Sequence, residues 1–204
     1  MKRIGIGFVL LMVLPWTSAL AMNIPDIAFV RKSLDSPPGF DSNFDIYTMD
    51  INGDNLTRLT NNDYAELDPR FSPTDDLFSF YANPSGTLGG GIYRMNFDGT
   101  GVEELSGAGG GSEQNWSPDG SQLVFSKPAA IPGQTNLYTV NSDGSNETQI
   151  TFDGGQHLMP QWSASGDRIS FVSNTGTHII DTNGLNQVSV ASTSDYHAVW
   201  SPDG

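Results

Sequence analysis

The pentapeptide Trp200-Ser201-Pro202-Asp203-Gly204 repeats Trp116-Ser117-Pro118-Asp119-Gly120 without change. Two weaker copies, Trp162-Ser163-Ala164-Ser165-Gly166 and Phe71-Ser72-Pro73-Thr74-Asp75, place the leading aromatics 45, 46 and 38 residues apart. No other feature of the chain restricts its fold as strongly. A period of this size marks one supersecondary unit repeated, each copy burying its apolar face against the next.

Other signals keep the same phase. Seven and nine residues after each aromatic stand Phe78 and Phe80, Leu123 and Phe125, and Ile169 and Phe171, with Ile27 and Phe29 in a first copy. A spacing of two puts both side chains on one face of a strand. Asn-Gly or Asp-Gly recurs at Asn52-Gly53, Asp98-Gly99, Asp143-Gly144 and Asn183-Gly184. These dipeptides predict two-residue hairpin turns with both residues at positive φ. Ahead of them lie Ile46-Tyr47, Ile92-Tyr93, Leu137-Tyr138 and, in the fourth copy, Thr177-His178. Leu59, Leu105, Ile150 and Val190 follow six residues after the glycines. In the pentapeptide, Pro118 presets the first central φ, Asp119 bonds to nearby backbone and Gly120 accepts positive φ. The leading Trp buries a large surface, and its N–H needs a partner. Each unit reads as strand, S-P-D-G turn, strand, variable loop, strand, N-G or D-G turn, strand. Four antiparallel strands of this kind make one propeller blade, so the fold class is all-β.

The chain starts differently. Lys2 and Arg3 precede an uncharged stretch with the apolar run Phe8 to Leu14, then Pro15 and the small-residue pattern Ala19-Leu20-Ala21. This is the form of a secretory signal peptide, residues 1–21. Its apolar centre is shorter than the ~20 residues of a spanning helix, so no stable membrane span is expected after cleavage. The destination is the periplasm or the outside of the cell. The net charge of −14, from 9 basic and 23 acidic residues, becomes −16 in the mature chain. The basic residues are scattered and form no patch, which argues against nucleic acid. With no cysteine, disulfides, thiolate metal sites and cysteine nucleophiles are excluded.

The repeat resembles that of the TolB-like β-propeller family, WD40-like in type, with its W-S-P-D-G signature, I-Y strand, D-G turn and closing L-T. Here the closing pairs are Leu59-Thr60, Leu105-Ser106, Ile150-Thr151 and, drifting, Val190-Ala191. The resemblance covers residues 24–204. It implies a propeller domain over 22–204, with blades at about 24–60, 66–106, 111–151 and 157–191 and the start of another at 195–204. About four blades predict an incomplete six-bladed propeller; the alternative is a four-bladed ring closed by Tyr196 to Trp200. Relatives of this repeat include periplasmic TolB, prolyl oligopeptidase-like peptidases and oligogalacturonate lyases. TolB carries an α/β domain before its propeller, whereas this sequence is expected to pass from the signal peptide directly into blade one.

No G-x-S-x-G or H-E-x-x-H occurs, so neither a serine-hydrolase nor a zincin reading has a motif to stand on. One constellation holds chemistry. Five residues before each aromatic stand Glu66, Gly111, His157 and Asp195, and three before it Asp68, Glu113, Met159 and His197. This segment leads into the innermost strand, where Glu66, Asp68, Glu113, His157, Asp195 and His197 would ring a mouth of the central channel. Oxygen and nitrogen donors suit Mn, Ca or Zn; the bland alternative is a solvated rim without any cofactor. His178 fills the Tyr slot of its strand and reads as structural. The resulting expectation is a non-catalytic extracytoplasmic binding module whose variable loops, such as 33–44 and 128–135, meet a protein or glycan partner. The alternatives are the propeller of a secreted carbohydrate-active enzyme, oligogalacturonate lyase-like, or of a prolyl oligopeptidase-like peptidase. Expression in a Gram-negative host should give a mature chain beginning at Met22; intact-mass analysis showing retained Lys2 and Arg3 would contradict the signal peptide.

Overall fold

The computed structural model describes residues 25–32, 43–84, 90–106, 111–191 and 198–203; the expected signal peptide lies outside them. Every regular element described is a strand. The first sheet contains β1 (Ile27–Lys32), β2 (Phe44–Met49) and β3 (Thr57–Arg58). The second contains β4 (Glu66–Phe71), β5 (Leu77–Ala82), β6 (Gly91–Asn96) and β7 (Glu103–Glu104). The third contains β8 (Ser112–Trp116), β9 (Gln122–Pro128), β10 (Thr135–Asn141) and β11 (Thr148–Gln149). The fourth contains β12 (His157–Trp162), β13 (Arg168–Ser173), β14 (Gly176–Asp181) and β15 (Val188–Ser189). In each sheet the strands lie in chain order and pair antiparallel. Each repeat is therefore one blade. Its S-P-D-G and D-G turns lie at one end, and its second loop and interblade link lie at the other.

The repeated residues close the blades in repeated ways. Gly120 N–H donates to the Ser117 carbonyl (2.9 Å), while Ser117 Oγ accepts Gln122 N–H (3.0 Å); Ser163 makes the equivalent bonds with Gly166 and Arg168. The hydroxyl of the closing pair also has a fixed task. Thr60, Ser106 and Thr151 accept the N–H of Ile46, Ile92 and Leu137 at 2.9, 2.8 and 2.9 Å, so the fourth strand is tied to the third beyond its two paired residues.

The N-G and D-G turns differ from the expected two-residue form. Only the glycines have positive φ: Gly53 and Gly99 at 83°, Gly144 at 82° and Gly184 at 80°. Gly99 N–H donates to Asn96 O (2.9 Å), and Asn96 N–H donates to Thr100 O (2.8 Å). This is the three-residue loop, in which a tight turn is followed by a left-handed glycine. The acidic residue stays in ordinary backbone and turns its carboxylate to the next hydroxyl, as Asp98 does with Thr100 (2.6 Å).

The core lies between blades. Ile46 of the first meets Phe78, Phe80 and Met95 of the second. Ile92 and Leu105 of the second meet Trp116, Leu123, Phe125 and Val140 of the third. Val124, Leu137 and Ile150 of the third meet Trp162, Ile169, Phe171 and Ile180 of the fourth. Fully burying each large apolar side chain contributes about 1.5–3 kcal/mol. The tryptophans add a polar link: Trp116 Nε1–H donates to Arg70 O (3.2 Å) and Trp200 Nε1–H to Gln161 O (3.1 Å). Trp200 thus docks on the fourth blade as Trp116 docks on the second. Among the described residues no strand of the first blade touches the fourth. The described residues therefore form an open arc of propeller, consistent with an incomplete ring, and no closed four-bladed ring is present among them.

The turn carboxylates give the fold a pH signature. Asp98, Asp119, Asp143 and Asp167 are held below their ordinary value of 3.8, chiefly by hydrogen bonds from Thr100, Ser117, Ser145 and Ser165. A depressed folded-state value contributes stability above the unfolded value, and this is lost as pH falls through the folded one. Glu66 works in the opposite sense, because burial raises it above 4.5 against hydrogen bonds from Asn62 and Thr60. The thermal midpoint should fall as pH drops below about 3.8, and a combined Asp98→Asn, Asp119→Asn, Asp143→Asn, Asp167→Asn variant should show a flatter acid limb in a calorimetric pH series.

Candidate functional site

Each complete innermost strand contains an interruption that decides where its charged residues go. Pairing shifts between Leu67 and Arg70, between Ser112 and Asn115, and between Leu158 and Gln161. In every case one extra residue is inserted against the second strand. Within each bulge a non-glycine residue has left-handed backbone: Asp68 (φ 53°), Glu113 (φ 58°) and Met159 (φ 53°). A bulge re-aims side chains, so residues five and three places before the aromatic do not share a face as in a regular strand.

The positions five before the aromatic enter the seams. Glu66 is buried, with hydrogen bonds from Thr60 Oγ1 (3.0 Å) and Asn62. In place of a side chain, the third blade has Gly111, where an added Cβ would lie 2.8 Å from the Phe125 ring. His157 is buried against Phe171, at 5.2 Å between ring centroids. Its Nδ1 faces Thr135 O (2.6 Å) and its Nε2 faces Asp153 Oδ1 (2.7 Å). Both ring nitrogens thus face oxygen atoms of neighbouring segments. Burial pushes Asp153 upward, but the Gln187 hydrogen bond and the His157 charge outweigh it and hold the carboxyl low. Burial also lowers His178, which stacks on Phe171 at 5.3 Å in its strand's Tyr slot.

The positions three before the aromatic share one space. Asp68, Glu113 and Met159 line a cavity of about 290 Å³ on the wall formed by the three inner strands. Asp68 pairs with Arg70 (2.9 Å). Glu113 accepts Ser126 Oγ–H (3.2 Å) and, across the seam, Met159 N–H (2.7 Å). Gln114 donates through Nε2 to Asp68 O (2.6 Å), and Trp162 N–H donates to Asn115 Oδ1 (3.0 Å). The Trp162 indole N–H, unlike those of Trp116 and Trp200, has no hydrogen-bond partner among the described residues. The structure thus brings Asp68 and Glu113 to one wall and separates Glu66 and His157 from them. Asp195 and His197 lie outside the described residues. Among those described, no group of three His, Asp or Glu side chains is placed to hold a metal ion.

A second concavity, of about 430 Å³, lies at the loop end of the third blade between residues 129–134 and Phe152. The loop is part of the variable segment seen in the sequence. Phe152 was not, although its signal is present: the corresponding places after the other closing pairs hold Asn61, Gly107 and Ser192.

No protein-family model matches the chain. It is 32% identical over 147 residues to an uncharacterized protein of Agrobacterium fabrum, covering 65% of this chain and 48% of that one. It is 28% identical over 129 residues to a TolB homolog of Chlorobium luteolum, covering 63% and 28% of the two chains. The chain thus spans about half the length of the first relative and less of the second. A solved structure assigned as TolB, from Agrobacterium tumefaciens, matches with a TM-score of 0.64 at 24% identity, covering 79% of this chain and 63% of that one. An oligogalacturonate lyase in complex with manganese matches at 0.60 and 16% identity, covering 76% and 44%. Sheets packed face to face, with laced inner strands along one wall, define a β-propeller. The propeller is TolB-like.

His157→Ala removes two hydrogen bonds and a ring from a tight seam. The variant should lose about 2–4 kcal/mol in urea denaturation, and an unchanged midpoint would show that the ring holds nothing together.

Proposed function

We propose that this chain is an extracytoplasmic binding module, periplasmic or secreted, that presents its blade loops to a protein or glycan partner without chemistry of its own. The observation that carries this reading is a contrast between the two ends of the blades. The turn end is built to one plan, with the same glycine and hydroxyl bonds recurring. The loop end changes from blade to blade: six residues, 129–134, join β9 to β10, whereas Asn174-Thr175 alone join β13 to β14. A constant scaffold with variable loops is the usual arrangement of recognition surfaces. Among the described residues no helix is long and apolar enough to cross a membrane. Glu66, Glu113 and His157 are engaged in bonds with neighbouring segments, and Asp68 pairs with Arg70 of its own strand.

A photo-crosslinking residue at Ile131, on the loop end, should capture a partner in living cells, whereas one at Asp98, on the turn end, should not. Adducts from Asp98 alone, or turnover of a substrate by the purified chain, would overturn the reading. A second reading, part of a carbohydrate-active enzyme, draws on the structural likeness to the manganese-bound lyase. Isothermal titration with Mn²⁺ and Ca²⁺ separates the two: heat lost in Glu113→Gln favours the enzyme.

A further inference from the structure

The groove on the loop end of the third blade departs from the repeat in three independent ways. Phe152 is 74% exposed, at a place where the sibling copies carry Asn, Gly and Ser. The repeat is an internal control: blade packing requires no aromatic ring there, since the other blades form without one. Facing it, Ile131 at the tip of the six-residue loop is 59% exposed. The loop is held in shape by Ala129 N–H to Gln134 O (3.0 Å) and Gln134 N–H to Ile131 O (3.2 Å), and Thr135 N–H ties it to Gly155 O (3.2 Å). Finally, Gln134 and Asn136 line the groove, and their side-chain amides have no hydrogen-bond partner among the described residues.

The chemistry narrows what fits. None of the lining residues is charged, in a chain of net charge −14; an anion meets repulsion and a cation finds no carboxylate on the wall. The backbone groups beneath are also in use, with Leu137 N–H given to Thr151 Oγ1 and Leu137 O taken by Ile150 N–H, both at 2.9 Å. The outer edge of this sheet is the two-residue β11, a short ladder for an extended peptide to join. What remains is an apolar ring face beside the Gln134 amide, which donates and accepts, while Asn136 Oδ1 is closed to solvent. A neutral sugar matches this set, with hydroxyls that donate and accept and C–H faces that cover a ring. The volume falls within the roughly 300–1,000 Å³ of small-ligand clefts.

We infer that this groove, bounded by Ala129, Ile131, Gln134, Asn136, Tyr138 and Phe152, binds a neutral saccharide. The inference rests on the binding-module reading and gives it a site and a ligand class. The test is saturation-transfer NMR of the mature full chain with neutral mono- to tetrasaccharides of gluco, galacto, manno and N-acetylglucosamine type, followed by titration. A library of uncharged peptides forms a parallel arm. Saturable saccharide binding is expected, weakened at least about tenfold in Phe152→Ala and in Gln134→Ala, and unchanged in Leu185→Ala on the fourth blade. Thermal midpoints check folding, and all three side chains lie outside the buried seams. Saccharide binding that survives Phe152→Ala overturns the site. Peptide binding without saccharide binding overturns the ligand class and leaves the module reading standing. Binding of neither overturns the inference, and the module reading is then judged by the Ile131 crosslink alone.

Discussion

The structure depends on the face-to-face burial of one blade on the next. A four-stranded sheet with Phe125 and Leu123 on one face and Val124 on the other cannot leave either face in water. Each side chain is worth a few kcal/mol only where the neighbouring blade is present. The tryptophans Trp116, Trp162 and Trp200 reach into these seams. The indole N–H, or for Trp162 the backbone N–H, bonds to the preceding blade. The arc is therefore held by nearest-neighbour interfaces, as in other repeat architectures.

The bulge in the innermost strand lies at the same seams. Where the strand passes the seam, one extra residue in left-handed backbone turns position three before the aromatic toward the channel wall. Position five before it stays in the seam, against Phe125 in the third blade and Phe171 in the fourth. That is why three unlike residues occupy the latter slot: Glu66 bonds to Thr60 and Asn62, Gly111 yields its space to Phe125, and His157 stacks on Phe171. Left-handed backbone in Asp, Glu and Met costs roughly 1–3 kcal/mol each, and Glu113 offsets part of it by accepting Met159 N–H across the seam.

The blades differ where the repeat is broken. The turn end is uniform because its glycines and hydroxyls are needed to reverse the chain. The loop end has no such duty, so length and composition are free to vary there. Phe152 and the 129–134 loop illustrate this: both lie at positions that the blade does not need for its own closure, and together they line a concavity.

Much of the fold was legible in the residues because repetition exposes it. The aromatic period, the paired apolar positions and the recurrent glycines have local causes in strand pleat and turn geometry, so four copies in phase define a blade. The turns were legible in place but not in type, since Asn-Gly and Asp-Gly serve both the two-residue and the three-residue loop. Another signal went unread: the left-handed Asn55, Asn146 and Asn186, with Gly101 in the second blade, recur just before each outer strand. Of the candidate cluster, the sequence determined which residues are ionisable and that they recur at fixed offsets. Only the tertiary structure decided that Asp68 and Glu113 face one wall while Glu66 and His157 enter the seams. The reason is physical: the extra residue exists only in the pairing of the inner strand with its neighbour, and nothing in the strand's own alternation announces it.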